Sequence, residues 1–186
     1  MLSCHTGLHD WRAAVAVGEG VGWDEDGAAL GESLLLELDA AVPDIVAVTP
    51  DGVRFLADAY RRVGAMSGRL GHSRFEEGSE HFWAYAYEHA TGAHHVHGEL
   101  ISFAVVALAH VQGNDPEFAH RVVSQAGVTA HPDDLGITRA EFVDNLVGLR
   151  AYAHAEGLDV GVADLRELTV GDADAAYDFA LTLPRS

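Results

Sequence analysis

Residues 78–99 read GSEHFWAYAYEHATGAHHVHGE, and this stretch decides how the chain folds. It places Glu80-His81 at the head of one helical run and His97-Gly98-Glu99 at the head of the next. His81, Tyr85 and Glu88/His89 recur at helical period and so share one face of the first run. Thr91-Gly92-Ala93 is small and polar enough to reverse the chain, and His97 then opens an apolar run over residues 100–111. The pattern predicts two antiparallel neighbouring helices with imidazoles at facing helix starts. Zinc or ferrous iron accepts neutral imidazole nitrogen, but a catalytic centre needs three protein ligands and an open position, so two histidines make an incomplete site. A spaced pair also lacks the specificity of a compact HExxH motif, and on spacing alone such histidines are more often hydrogen-bonded core or surface residues than ligands.

Working outward, the rest of the chain is helical in pattern. Residues 2–17 carry apolar side chains at spacings of three and four and stop at Gly18-Glu19-Gly20. Residues 24–41 begin with acidic residues and end before Pro43. Thr49-Pro50-Asp51 caps a helix over residues 52–63 with Arg61 and Arg62 near its end. Asp115-Pro116 starts a helix to Gln125, Thr138 with Glu141 forms a capping box for residues 139–155, and residues 172–181 close the chain. Residues 44–48 and 160–168 are β-like, the first reading as a helix connection and the second as a short extended segment; neither supports an independent sheet. With no repeat, heptad array or linker to divide it, the chain reads as one all-α domain over residues 1–186.

Composition narrows the function. Eleven Lys+Arg against 29 Asp+Glu give a net charge of −18, which repels nucleic acid and anionic membranes alike. There is no lysine, which removes Schiff-base chemistry and a P-loop. The lone cysteine, Cys4, excludes an internal disulfide and fits a small buried hydrophobe in a reducing compartment. No secretory signal and no membrane-length apolar run is present, so a cytoplasmic location is expected. His5 and His9 stand at helical spacing, but HxxxH arises by chance in so histidine-rich a chain. His94 and His95 fall in the loop, where solvated or ligand-supporting roles are expected. Glu80 and Glu99 adjoin the histidine pair, either orienting it or serving helix N-termini.

The ordered series Gly64-Ala65-Met66, Gly71-His72-Ser73-Arg74, Gly78-Ser79-Glu80-His81 and His97-Gly98-Glu99 resembles the second half of sn-glycerol-1-phosphate dehydrogenases, of the iron-containing alcohol dehydrogenase and dehydroquinate synthase superfamily. Residues 3–12, SCHTGLHDWR, resemble the start of the helical domain in those enzymes. The resemblance implies a helical bundle like the metal-binding C-terminal half of that superfamily, without the Rossmann-like N-terminal half. It implies metal ligation, by Zn2+ or Fe2+, at His81 and His97, with the third ligand, an aspartate, falling just upstream of Met1. Tyr85 takes the place where the family commonly has a substrate-contacting histidine, and a phenol there can donate a hydrogen bond but carries no positive charge at neutral pH. Glu77 adds negative charge nearby. The implied activity is NAD(P)-linked reduction of a small polar ketone, or oxidation of the alcohol, phosphorylated or not, with the nicotinamide bound by a missing half or partner subunit. The metal-binding half alone would then be inactive, and a homo-oligomer is compatible with it. Two alternatives stand beside this: half of a dehydroquinate synthase-like cyclase, against which the lack of lysine counts, and a non-catalytic helical binding or regulatory module.

Overall fold

The computed structural model describes residues 1–185, and every regular element in them is a helix. In order they are α1 (Cys4–Ala16), α2 (Glu25–Val46), α3 (Pro50–Leu70), α4 (Ser79–Thr91), α5 (His97–Gln112), α6 (Pro116–Ala126), α7 (Pro132–Leu135), α8 (Arg139–Glu156), α9 (Val162–Leu165) and α10 (Val170–Ala180). Among the described residues no helix is long and apolar enough to cross a membrane.

The apolar run after His97 becomes the central helix. In α5, Phe103 through Ala109 are fully buried, because α1, α4, α6 and α10 pack around it. Trp83, Phe103 and Phe142 meet edge-on or tilted at the middle of that core. A second core joins α1, α2 and α3 through Trp11, Leu34 and Val63, with Phe75 from the segment after α3.

The caps expected from sequence are made. Thr138 and Glu141 close a full capping box on α8, and Asp24, Thr49 and Asp115 accept from the first turns of α2, α3 and α6. Elsewhere the structure corrects the expectation. Helix α2 does not stop before Pro43 but runs to Val46. So close to the helix end, the missing proline N–H removes one bond, while buried Leu38 and Val42 hold the helix down. Residues 44–48 are therefore the last helical turn and a tight reversal, not an extended stretch. Thr49 closes that reversal by donating to Asp44 at 2.8 Å, and Gly52 is required where α3 meets it, since a Cβ there would lie 2.4 Å from the Asp44 carbonyl oxygen. Helix α3 also outlasts its expected end, passing Gly64 and Gly68 to stop at Gly71, which takes the left-handed conformation at φ 74°. Residues 160–168, read as extended, contain the one-turn α9, capped by Asp164 accepting from the Gly161 N–H.

The largest correction concerns α4 and α5. A tight antiparallel hairpin would put His97 beside the C-terminal end of α4, roughly 15 Å along the helix from His81. Instead residues 92–96 are without helical structure and run back along α4. The His95 N–H donates to Glu88 at 3.3 Å and its ring lies 5.6 Å from Tyr87. Gly92 turns the chain in the left-handed conformation at φ 68°, and the return of residues 93–96 lets α5 start beside the start of α4, with the His81 and His97 rings 5.4 Å apart.

Candidate metal centre

His81 owes its position to a buried polar junction beneath the α4 N-terminus. The Ser79 N–H donates to Asp10 of α1 at 2.6 Å, and the Ser79 hydroxyl accepts from the Val162 N–H at 2.8 Å. Arg74, buried, donates to the carbonyl oxygens of Glu77 and Val160 and lies 3.5 Å from Asp159. This clamps residues 71–78 against the segment before α9. Gly78 fits because α1 passes against it: a Cβ there would lie 2.8 Å from the Asp10 carboxylate and 2.9 Å from the Gly7 Cα.

Glu80 is fully buried and accepts from the Gly78 N–H and from His81 Nδ1, each at 2.8 Å, while its other oxygen is buried without a hydrogen-bond partner. The His81 ring is tilted against that of His97, with centroids 5.4 Å apart. Helix α4 thus supplies one imidazole and the first residue of α5 supplies the other, the latter exposed at the rim. Burial works against a charged His81, but the bond to Glu80 and the charges of Glu80, Glu77 and Glu76 outweigh it and hold the imidazole above its usual value. For His97, partial burial and the neighbouring His81 act together in the other direction and favour the neutral ring.

Tyr85 follows one turn on, its ring 6.0 Å from His81. Its hydroxyl donates to Glu77 at 2.6 Å, and Ser73 donates to the same carboxylate. Burial raises the Glu77 carboxyl, but these two bonds, with His81 and Arg74, more than offset that and keep it ionised. Burial and the bond to Glu77 push the Tyr85 phenol upward, so it stays a donor.

His81 and His97 open onto a cleft of about 440 Å³. Leu38, Val42 and Ile45 of α2, Ile101 and Val105 of α5 and Val122 of α6 form its apolar walls, and Glu76, Glu99 and Ser102 add polar groups at the histidine end. Among the described residues no group of three or more His, Cys, Asp or Glu side chains is arranged to hold a metal ion. The other histidines are placed apart. His5 Nε2 lies 2.6 Å from the Asn114 carbonyl oxygen and does not converge with His9. His94 is exposed, and His95 is turned toward Tyr87. Cys4 is buried, and its thiol is pushed up to about 12 by that burial. The sequence reading passed over Asp10, Arg74 and Glu76. Asp10 bonds a residue 69 positions away, a pairing with no local signal, although SCHTGLHDWR does contain it.

No protein-family model matches the chain. Curated relatives do: glycerol-1-phosphate dehydrogenase (NAD(P)+) of Saccharolobus solfataricus is 31% identical over 97 residues, covering 51% of this chain and 27% of that protein. The enzyme of the same name from Sulfurisphaera tokodaii is 30% identical over 46% of this chain and 25% of its own length. That from Thermoplasma volcanium is 23% identical over 181 residues, 97% of this chain and 48% of that protein. The chain is thus glycerol-1-phosphate dehydrogenase-like, and it spans from about a quarter to about half the length of the relatives it matches.

Proposed function

We propose that residues 1–186 form one helical domain that is the metal-binding wall of a metal-dependent, NAD(P)-linked oxidoreductase acting on an alcohol or ketone. The observation that carries this reading is the approach of His81 and His97. Two imidazoles bound to one tetrahedral zinc at about 2.0–2.1 Å would put their ring centroids about 5.2 Å apart, and here they stand 5.4 Å apart. Glu80, holding Nδ1 of His81, fixes the tautomer that leaves Nε2 free, the carboxylate–imidazole arrangement by which ligating histidines are commonly oriented. The donor set fits zinc or ferrous iron as two of three ligands; by family resemblance the third belongs to residues preceding this domain. A cation so held supplies Lewis-acid polarisation of a substrate carbonyl. The chain's own residues hold that cation, place Tyr85 beside the substrate, and wall off the cleft with α2, α5 and α6. The nicotinamide falls to a nucleotide-binding half or partner subunit, in keeping with the greater length of the NAD(P)+-linked relatives.

Cobalt(II) titration of the purified chain, followed by visible absorption, tests this. Saturable uptake at one equivalent, lost in both His81→Ala and His97→Ala, is the expected result. Uptake unchanged in both variants would contradict it, and no uptake by the wild-type chain would favour a non-catalytic helical module.

A further inference from the structure

The cleft beside the two histidines is poor in positive charge. Glu76 and Glu99 line its polar end with His81 and His97, and the charge of Glu77 bears on both imidazoles. Glu77 is held where it is by the hydroxyls of Tyr85 and Ser73. Among the described lining residues there is no lysine or arginine, and besides imidazole the cations felt there are the α-amino group of Met1, at Glu76, and Arg74, at Glu77. No arginine is in reserve, because each of the eleven lies within salt-bridge distance of a carboxylate. Arg74, the nearest in sequence, is buried against Asp159 and two carbonyl oxygens. Helix N-termini could offer positive potential instead, but α4 and α5 each begin with their own carboxylate, Glu80 and Glu99. Beyond this acidic end the walls are Leu38, Val42, Ile45, Ile101, Val105 and Val122.

Resting on the proposal that substrate binds in the His81/His97 cleft, we infer that the wall of the site built by this chain receives an uncharged alcohol or ketone bearing an apolar group, and disfavours phosphate esters. A phosphate is held by arginine forks, lysine or uncommitted backbone N–H groups. Here it would meet glutamates in a half-buried setting where like charges repel strongly. A hydroxyl or carbonyl at the histidine end instead leaves an alkyl or aryl group to run along the apolar walls, the usual make-up of a small-molecule pocket.

The test is NMR titration of the isotope-labelled chain with 1,2-hexanediol and, separately, with glycerol 1-phosphate, each with and without one equivalent of Zn2+. The diol should shift signals of Val42, Ile45 and Ile101 and bind about ten-fold more tightly than the phosphate ester, the factor expected from one uncompensated like charge. Glu76→Gln with Glu77→Gln should close most of that gap. Ile45→Trp, at a partly exposed wall position, should weaken the diol alone. Equal or tighter binding of glycerol 1-phosphate by the wild-type chain would overturn the inference, as would a gap unchanged by the two Glu→Gln substitutions. Failure of Zn2+ to shift His81 and His97 ring signals would sink the metal reading separately, while the metal-free titrations still decide the charge selection.

Discussion

Replacing Glu80 separates its structural role from its role in orienting His81. Its carboxylate is fully buried and accepts two bonds of 2.8 Å, from the Gly78 N–H and from His81 Nδ1. Glu80→Ala leaves both donors without an acceptor, and a buried orphan costs about 1–3 kcal/mol. His81, which keeps a small exposed edge, can recover part of its loss from water, so a total of about 3 kcal/mol is expected, a fall in Tm of roughly 6–12 °C for a chain of this size. Glu80→Gln keeps an oxygen to accept from Gly78, and its NH2 replaces the oxygen that has no partner. Its Tm should therefore stay within roughly 3 °C of wild type. The charge that polarises His81 is nevertheless gone, so Zn2+ affinity, measured by competition with a chromophoric chelator, should drop about 10- to 100-fold. Wild-type zinc affinity in Glu80→Gln would refute the claim that Glu80 orients a ligand. Wild-type melting of Glu80→Ala would refute the buried bonding itself.

Trp83, fully buried and stacked on Tyr87 with ring centroids 5.2 Å apart, should cost about 3–5 kcal/mol on truncation to alanine, read by urea denaturation. Thr169→Ala should remove about 1 kcal/mol by breaking the α10 capping box. Asp172 of the same box is held down to about 2 by its bonds to Thr169 and by Arg166. Being depressed below its unfolded value of 3.8, it contributes stability that is fully present above that value and is lost as pH falls toward the folded one. Asp172→Asn should flatten that part of an acid-denaturation curve. The raised His81 imidazole means a proton competes with metal from a higher pH than at a free imidazole, so Zn2+ uptake should weaken steadily as pH falls from about 8 to 6. The isolated chain should give no NAD(P)H oxidation with ketones, and robust turnover would overturn the assignment of the cofactor to another half.

Helices whose signals are local were legible. Thr138 with Glu141, Thr49-Pro50 and Asp115-Pro116 mark their starts, and the unbroken apolar run after His97 becomes the buried central helix. What failed was the assumption that local breakers always win. Pro43 is overridden by the burial of Leu38 and Val42, and Gly64 and Gly68 do not end α3 because neither is called on for a left-handed turn. The approach of His81 to His97 was expected, but the route was not. A hairpin was read into Thr91-Gly92-Ala93, whereas residues 92–96 retrace α4 through the contacts of His95 with Glu88 and Tyr87. The supports of the site, Asp10 under Ser79 and Arg74 against Asp159 and Val160, join residues far apart in sequence, and periodicity carries no trace of such pairs.

The central claim is that His81 and His97 converge on one cation. Anomalous diffraction at the zinc edge, on crystals of the chain grown with one equivalent of Zn2+, tests it most directly. The account predicts a single peak between the two rings, about 2.0–2.1 Å from a nitrogen of each. A peak at other histidines, or one bound by only one of this pair, would contradict it.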